Sequence, residues 1–374
     1  MFEVIQRART LSLMPTYRCT AACQHCGTFS SPRNRSRLDA ELTLSAIDQA
    51  IENKYQVVVF TGGEPTLLRD ELLVGIGRAA AGGLVTRVVT NAWWAADDST
   101  ANQWITALVE AGLHEINFST GDQHVRFVPL EHVLRACRAA ARCGRLTICL
   151  MVEIVEARTV TQALIRDHPI FKDVARIAPD RDILITESPW MPISARTRGH
   201  YADELTVNRT NILKRGGCNS CLSTTSVQAD GRIAACCGLG MRAIPELQTG
   251  HIRRTSLRQA DATAEQDFLK RWIRVEGPER ILAWAANHDP SIEWEDMYAH
   301  RCQACLRIYK DGKVREVIRK HHTEKMADVF LAEWLLYHFD SKADAQAADP
   351  SAPSEPGGGS APVRSEEGPR ATVF

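Results

Sequence analysis

The stretch VVVFTGGEPTLLRDELLVGIGRAAAGGLVTRVVTN, residues 57–91, decides the fold class. It opens on a β-branched run, VVVFTG (57–62), and turns through two glycines and a proline. A helical pattern over 67–82 follows, and a second β-branched run, TRVVTN (86–91), closes it. Two strands joined through a helix rather than a tight turn form a parallel pair with a crossover connection. The same unit continues on both sides. LSLMP (11–15), HEINFS (114–119), LTICLMVEIV (146–155) and DILITE (182–187) read as further strands. Helical patterns near 43–53, 99–111, 130–143 and 159–167 lie between them. Six such alternations predict an α/β fold built on a parallel sheet. Within 146–155, Ile148, Leu150, Val152 and Ile154 share one face, and Thr147, Cys149, Met151 and Glu153 share the other. In 114–119, Ile116 and Phe118 oppose Glu115, Asn117 and Ser119. A sheet covered by helices on both faces is apolar on both, so the mixed face fits a barrel whose interior holds a polar ligand.

Past about residue 210 the pattern changes. VQADGRIAACC (227–237) places an Asp-Gly turn between two short β-like runs, a hairpin signal. Helical patterns follow near 257–274 and 313–337. From Asp340 onward the chain is mostly Ala, Pro, Ser, Gly and Glu, a composition too poor in apolar bulk to offset its ordering entropy. The expected organisation is a barrel over 1–210, a small cysteine-rich α+β unit over 211–312, a C-terminal helix over 313–339 and a disordered tail over 340–374.

Composition excludes several classes of function. The 374 residues carry 45 basic and 45 acidic side chains, so no overall field attracts nucleic acid or an anionic membrane. No apolar run is long enough to cross a bilayer; the most apolar stretch is interrupted by Glu153. The opening MFEVIQRARTLSLMP lacks the regions of a signal peptide. A soluble, cytoplasmic protein is expected. Twelve cysteines in a reducing compartment then read as metal ligands or reactive thiols rather than disulfides.

Three of them stand together directly after the first strand, as Cys19-Thr-Ala-Ala-Cys23-Gln-His-Cys26. Three thiolates on one loop can hold three irons of a cubane and leave the fourth open, whereas zinc sites usually take four ligands from two separated pairs. The second strand ends in Thr61-Gly62-Gly63-Glu64-Pro65. Two glycines let backbone approach a ligand without a Cβ in the way, Glu64 can accept from an ammonium, and Pro65 fixes the exit into the helix. CxxxCxxC after strand one with GGEP after strand two, in this order, resembles the radical S-adenosylmethionine (SAM) superfamily over roughly residues 8–190. That resemblance implies a partial (β/α)6 barrel, TIM-like, with a 4Fe–4S cluster on Cys19, Cys23 and Cys26. It also implies S-adenosylmethionine chelated to the fourth iron, and reductive cleavage to a 5′-deoxyadenosyl radical that abstracts a substrate hydrogen. By the same resemblance, Gly62, Gly63, Glu64 and Pro65 hold the SAM amino group, His25 lies near the adenine, and Asn117 and Ser119 contact the ribose.

The second constellation is Cys218-x2-Cys221, Cys236-Cys237 and Cys302-x2-Cys305. From Cys221 it reads C-x9-G-x4-C followed, after a long gap, by CxxC. This resembles the twitch version of the SPASM extension, which implies one auxiliary 4Fe–4S cluster on Cys221, Cys236, Cys302 and Cys305, with Cys218 and Cys237 spare and either able to substitute. A structural zinc on four of these cysteines stays open, because paired CxxC motifs are also zinc's arrangement. Cys137, Cys143 and Cys149 fall on helix or strand and read as small buried hydrophobes.

Asp122 and His124 follow strand four, at the mouth where barrel active sites sit, and could deprotonate a substrate or its radical, or stabilise the loop by hydrogen bonds. Glu153, inward on strand five, could contact SAM or substrate, or pair with an arginine such as Arg87. Trp93 and Trp94 could wall the pocket, and the basic run 30–37 is a solvated face or a contact for an acidic substrate. The function the resemblance implies is hydrogen abstraction followed by net oxidation or bond formation on a peptide or small-molecule natural product. A flavodoxin- or ferredoxin-type protein would supply the electron, and neither nucleic acid nor membrane is a partner. A non-catalytic iron–sulfur or zinc protein is the alternative.

Overall fold

The computed structural model describes residues 9–24, 26–154, 158–179, 183–189, 201 and 205–347. Six strands run parallel: β1 (Thr10–Thr16), β2 (Val57–Gly62), β3 (Val85–Thr90), β4 (Glu115–Gly121), β5 (Thr147–Ile154) and β6 (Leu184–Pro189). Three short ones follow, β7 (Thr224–Val227), β8 (Arg232–Ala234) and β9 (Gln248–His251). All nine form one sheet in the order β6-β5-β4-β3-β2-β1-β7-β8-β9. Each of the first six lies beside its predecessor, with Leu11 opposite Val58, Val58 opposite Thr86 and Ile116 opposite Ile148. This is the progression of a partial TIM-like barrel, with helices outside.

The helices α1 (Ala40–Glu52), α2 (Arg69–Ala81), α3 (Asp98–Glu110) and α4 (Leu130–Cys143) occupy the crossovers. They cover the sheet face carrying Leu11, Leu13, Val58, Phe60, Val88, Ile116, Phe118, Ile148 and Leu150, all buried among Ile47, Ile76, Ile105, Leu108 and Leu134. The other face, with Ser12, Val59, Arg87, Asn117, Ser119, Met151 and Glu153, lines a cavity. The strand alternation therefore has the expected sense, apolar outward to the helices and mixed inward.

Two features depart from the sequence reading. The crossover near 159–167 is two helices, α5 (Gln162–Asp167) and α6 (Pro169–Ile177), because His168 precedes a proline and is extended at ψ 134°. The pattern over 257–274 is also two helices, α7 (Leu257–Glu265) and α8 (Phe268–Glu276). Asp267 breaks it by capping α8 through the amide of Leu269 at 2.9 Å.

The expected hairpin forms, with Ser226 opposite Ala234, but β7 pairs parallel with β1, Leu11 opposite Thr225. The cysteine-rich region thus extends the barrel sheet. Val227, Ile233 and Leu257 belong to the barrel core. A second core forms under α8, α9 (Pro278–His288), α10 (Arg301–Lys310), α11 (Gly312–His321) and α12 (Thr323–Ala347), around Trp272, Ile281, Leu282, Ile308 and Val314. The helical pattern of 313–337 is thus two helices, and the second continues past residue 339 to Ala347. Residues 348–374 of the expected tail lie outside the described residues.

One buried carboxylate ties the two regions. Asp261 of α7 accepts from Tyr55 Oη and Thr225 Oγ1, both at 2.6 Å, and from Arg9. Asp261→Ala would remove the shared acceptor of three donors, leaving the Tyr55 hydroxyl, among the described residues, only Thr225 Oγ1 at 3.1 Å and the Arg9 guanidinium only Glu265 at 3.7 Å. It is expected to lower unfolding free energy by about 2–4 kcal/mol, measured by urea denaturation, with Asp261→Asn recovering part of the loss.

Candidate active site

The chain leaves β1 into a loop that closes on itself, Ser31 N donating to Tyr17 O and Cys19 N to Ser31 O, each at 3.2 Å. Cys19, Cys23 and Cys26 all line the cavity from this loop. Amides are aimed at two of the sulfurs: Ala21 N lies 3.4 Å from Cys19 Sγ, and Ser30 N 3.4 Å from Cys26 Sγ. Asn91 Nδ2, from the end of β3, reaches Cys19 Sγ at 3.7 Å and Thr20 Oγ1 at 3.0 Å. Burial pushes the Cys19 thiol up to about 12 and raises Cys23 as well, with Glu64 and Glu153 respectively adding to the effect. Such thiols become thiolates only against a compensating cation, and the N–H donors around them suit thiolate sulfur. The loop fits a metal cluster. His25 lies outside the described residues.

The turn after β2 holds this loop in place. Gly63 N donates to Thr16 O and Glu64 N to Arg18 O, both at 2.8 Å. A Cβ on Gly63 would lie 2.1 Å from the Arg18 carbonyl oxygen. The closest approach that demands glycine here is therefore to the chain's own cysteine loop. Glu64 is 1% exposed. Its Oε1 accepts from Thr66 Oγ1 at 2.6 Å and Thr90 Oγ1 at 2.9 Å, and its Oε2 from Asn91 N at 2.9 Å. Burial outweighs these bonds and raises its pKa. Gly62, Gly63 and Glu64 face the cavity. Pro65 is buried behind them at the start of a short 3-10 turn, Pro65–Leu68. Sequence reasoning missed Thr66, Thr90 and Asn91. The signal available was that Asn91 ends a parallel strand at the same rim.

Across the cavity, Glu153 is 1% exposed and accepts from the amides of Gln123 and His124, the latter at 3.0 Å, and from His124 Nδ1. The carboxylate partner of His124 is thus Glu153, from the neighbouring strand, and not Asp122. Gly121, at φ +134°, turns the chain so that the amides following it point to Glu153. Asp122 faces away and accepts from Thr159 N at 2.9 Å and Val160 N at 2.8 Å. Arg87 pairs with Glu115 at 2.7 Å instead of with Glu153. Ser119 and Asn117 both line the cavity, and the Asn117 amide is oriented to donate to Glu115 Oε1 at 2.9 Å. Trp94 is buried and stacks on Trp104, while Trp93 donates to Thr66 Oγ1, so both pack beside the site. In the basic run, Arg37 pairs with Glu71.

The cavity, about 690 Å³, continues from this loop to Cys218, Cys221, Cys236, Cys237, Cys302 and Cys305. Cys302 and Cys305 sit in the first turns of α10, which His300 caps by accepting from Cys302 N at 3.1 Å. A Cβ on Gly238 would lie 3.0 Å from Cys302 Sγ and 3.8 Å from Cys236 Sγ, so these two sulfurs share one backbone neighbour. Burial raises the thiols of Cys221, Cys236, Cys302 and Cys305, and the charge of Cys218 adds to each of them. Cys218 is fixed through its amide to Ile273 O at 3.0 Å. Cys237 turns to Ser220 Oγ at 3.7 Å. Of the two cysteines set aside from the sequence, Cys218 thus stands among the other four. The two cysteine regions touch: Gly240 N donates to Gly27 O at 3.1 Å, and the Arg242 guanidinium lies 3.6 Å over the Tyr17 ring and bonds Thr28 O. Cys137 and Cys149 are buried and Cys143 is half-buried, on α4 and β5.

Residues 13–155, the segment that carries the three-cysteine loop and the glycine turn, match the family model of the radical SAM superfamily. This chain carries a radical SAM domain. YydG of Bacillus subtilis (strain 168), named for peptide biosynthesis, is 39% identical over 57 residues, 15% of this chain and 18% of YydG. The structure of Streptococcus suis SuiB bound to precursor peptide SuiA is similar in fold, with TM-score 0.50 and 14% identity. That likeness covers 69% of this chain and 65% of SuiB, just under two thirds of its length. BtrN, solved with AdoMet and 2-DOIA, is 12% identical with TM-score 0.43, over 75% of this chain and 91% of BtrN. No helix among the described residues is long and apolar enough to cross a membrane.

Gly63→Ala drives a methyl group into the Arg18 carbonyl and should displace the loop that carries Cys19. Iron bound after anaerobic reconstitution is expected to fall below that of the wild type, with far-UV circular dichroism unchanged.

Proposed function

We propose that this protein is a radical SAM enzyme that modifies a peptide, abstracting a substrate hydrogen in the cavity between its two cysteine groups, with an auxiliary iron–sulfur cluster at the second. The observation that carries the proposal is one cavity lined by three cysteines from one loop, six from the second region and the mixed inner face of the barrel. With a 4Fe–4S cluster and SAM bound at the first loop, reductive cleavage of SAM supplies a primary carbon radical.

The residues of the chain have distinct parts in this reading. Cys19, Cys23 and Cys26 hold three irons, and the amides of Ala21 and Ser30 favour the thiolate form. Gly62 to Glu64 present the turn that receives the SAM amino group. Glu64 is held rigid by Thr66, Thr90 and Asn91, so its orientation is set before any ligand arrives. Asn117 and Ser119 offer polar contacts further along the wall. The Glu153 carboxylate on His124 Nδ1 favours the Nδ1–H tautomer and makes Nε2 the basic nitrogen. His124 is thus suited to take a substrate proton, and Glu153 acts through it as a positioning residue; Asp122 supports the loop at 159–160.

Three observations support the finer points. A single zinc bound by cysteines at about 2.3 Å holds its sulfurs about 4 Å apart or less. Among the described residues, no three cysteine sulfurs lie within 4.8 Å of one another. The wider spacing supports a cluster at the second group. Cys218 joins Cys221, Cys236, Cys302 and Cys305 as a candidate ligand there. A peptide substrate is supported by the name of YydG and by the peptide bound to SuiB.

Substituting Cys19, Cys23 or Cys26 by Ala should abolish 5′-deoxyadenosine formation, followed by chromatography with a chemical reductant. Cys302→Ala or Cys305→Ala should retain that cleavage but yield no modified peptide. Undiminished 5′-deoxyadenosine from Cys23→Ala would overturn the assignment of the loop.

A further inference from the structure

Three side chains outside the cavity converge where three C-terminal helices meet. His288 ends α9, His321 ends α11, and Glu324 lies in the first turn of α12. Glu324 reaches both imidazoles, with Oε2 3.3 Å from His288 Nε2 and Oε1 3.0 Å from His321 Nδ1. The two rings stack with centroids 4.3 Å apart and planes 25° from parallel. One ligand atom from each residue falls within 4.8 Å of the others, and among the described residues no other trio of His, Cys, Asp or Glu does so.

The carboxylate lies within reach of both imidazoles, and one ligand atom from each residue stands close enough to the others to share one ion. Ligand atoms bound tetrahedrally at about 2.0–2.1 Å stand about 3.3 Å from one another. Two imidazoles and a carboxylate form the donor set of zinc and of divalent cobalt and nickel, and they are too few oxygens for calcium. The surroundings favour a cation. The carbonyl ends of α9 and α11 both terminate here, and their partial negative charge adds to that of Glu324 against the single amide end of α12. Trp284 packs edge-on to His288 with centroids 4.6 Å apart, which fixes that ring. Two lysines of α11 line the cleft beside the site: Lys320, whose charge is met by Glu316 at 3.1 Å, and Lys313, whose Nζ is turned to Ser291 Oγ at 2.8 Å. A cleft of about 400 Å³, lined by both histidines, opens beside them and leaves room for water in the remaining coordination position.

We propose that His288, His321 and Glu324 bind one divalent transition-metal ion of the zinc class, joining α9, α11 and α12. The proposal is independent of the reaction in the barrel, so either can fail alone.

The test uses the full-length, iron-loaded protein under anaerobic conditions. Equilibrium dialysis against zinc is expected to show one ion per chain beyond any held by cysteines. Cobalt in its place should give weak visible ligand-field bands without sulfur-to-metal charge transfer. Both signals should be lost in His321→Ala and in Glu324→Ala, a half-buried and an exposed position at helix ends, with far-UV circular dichroism unchanged. Zinc should raise the thermal midpoint of the wild type and not of either variant. No additional ion, equal uptake by the variants, or a cobalt spectrum dominated by thiolate charge transfer would overturn the proposal.

Discussion

The site depends on the pairing of two backbone segments, Gly63–Glu64 against Thr16–Arg18. Two hydrogen bonds of 2.8 Å bring the turn after β2 against the root of the cysteine loop, and only a glycine at 63 allows the approach. From that seam the other parts take their positions. Cys19 follows at once on the loop side, while Glu64 follows on the turn side and collects Thr66, Thr90 and Asn91 around its carboxylate. Asn91 closes the circuit by donating to Cys19 Sγ. Strands β1, β2 and β3 are thereby joined at their carboxyl ends by polar contacts, where parallel-barrel sites are built.

The second region is continuous with the first in two ways. β7 adds to the open edge of β1, so the hairpin extends the barrel sheet, and Asp261 secures that junction from outside. On the inside, Gly240 and Arg242 dock on the loop that carries Cys26, through the Gly27 and Thr28 carbonyls and the Tyr17 ring. Tyr17 Oη in turn donates to Gln228, in the turn between β7 and β8. Two cysteine groups far apart in sequence therefore line one cavity.

What could be read from the sequence follows from the range of the interactions involved. β-branched runs such as VVVFTG and TICLMV mark strands through local preference, and their alternation gave the inner and outer faces correctly. The three-cysteine loop and the glycine turn are local motifs on adjacent strands, so their proximity follows from the parallel order. His124 with Glu153 is different. That contact depends on the register of β4 against β5 and on the φ of Gly121, neither visible in a single chain. The β1–β7 pairing spans more than two hundred residues and has no local signal. Helices α9 and α10 were not read from the sequence; the Gly277-Pro278 start of the first was the cue available.

Metal content tests the central claim most directly: that the two cysteine groups of one cavity each hold an iron–sulfur cluster. Iron, acid-labile sulfide and zinc are to be measured per chain in anaerobically reconstituted protein, with His321→Ala removing any zinc at the helix junction. The account predicts about eight irons with matching sulfide. About four irons with one zinc retained in that variant would contradict it and leave the second group of cysteines as a structural zinc site.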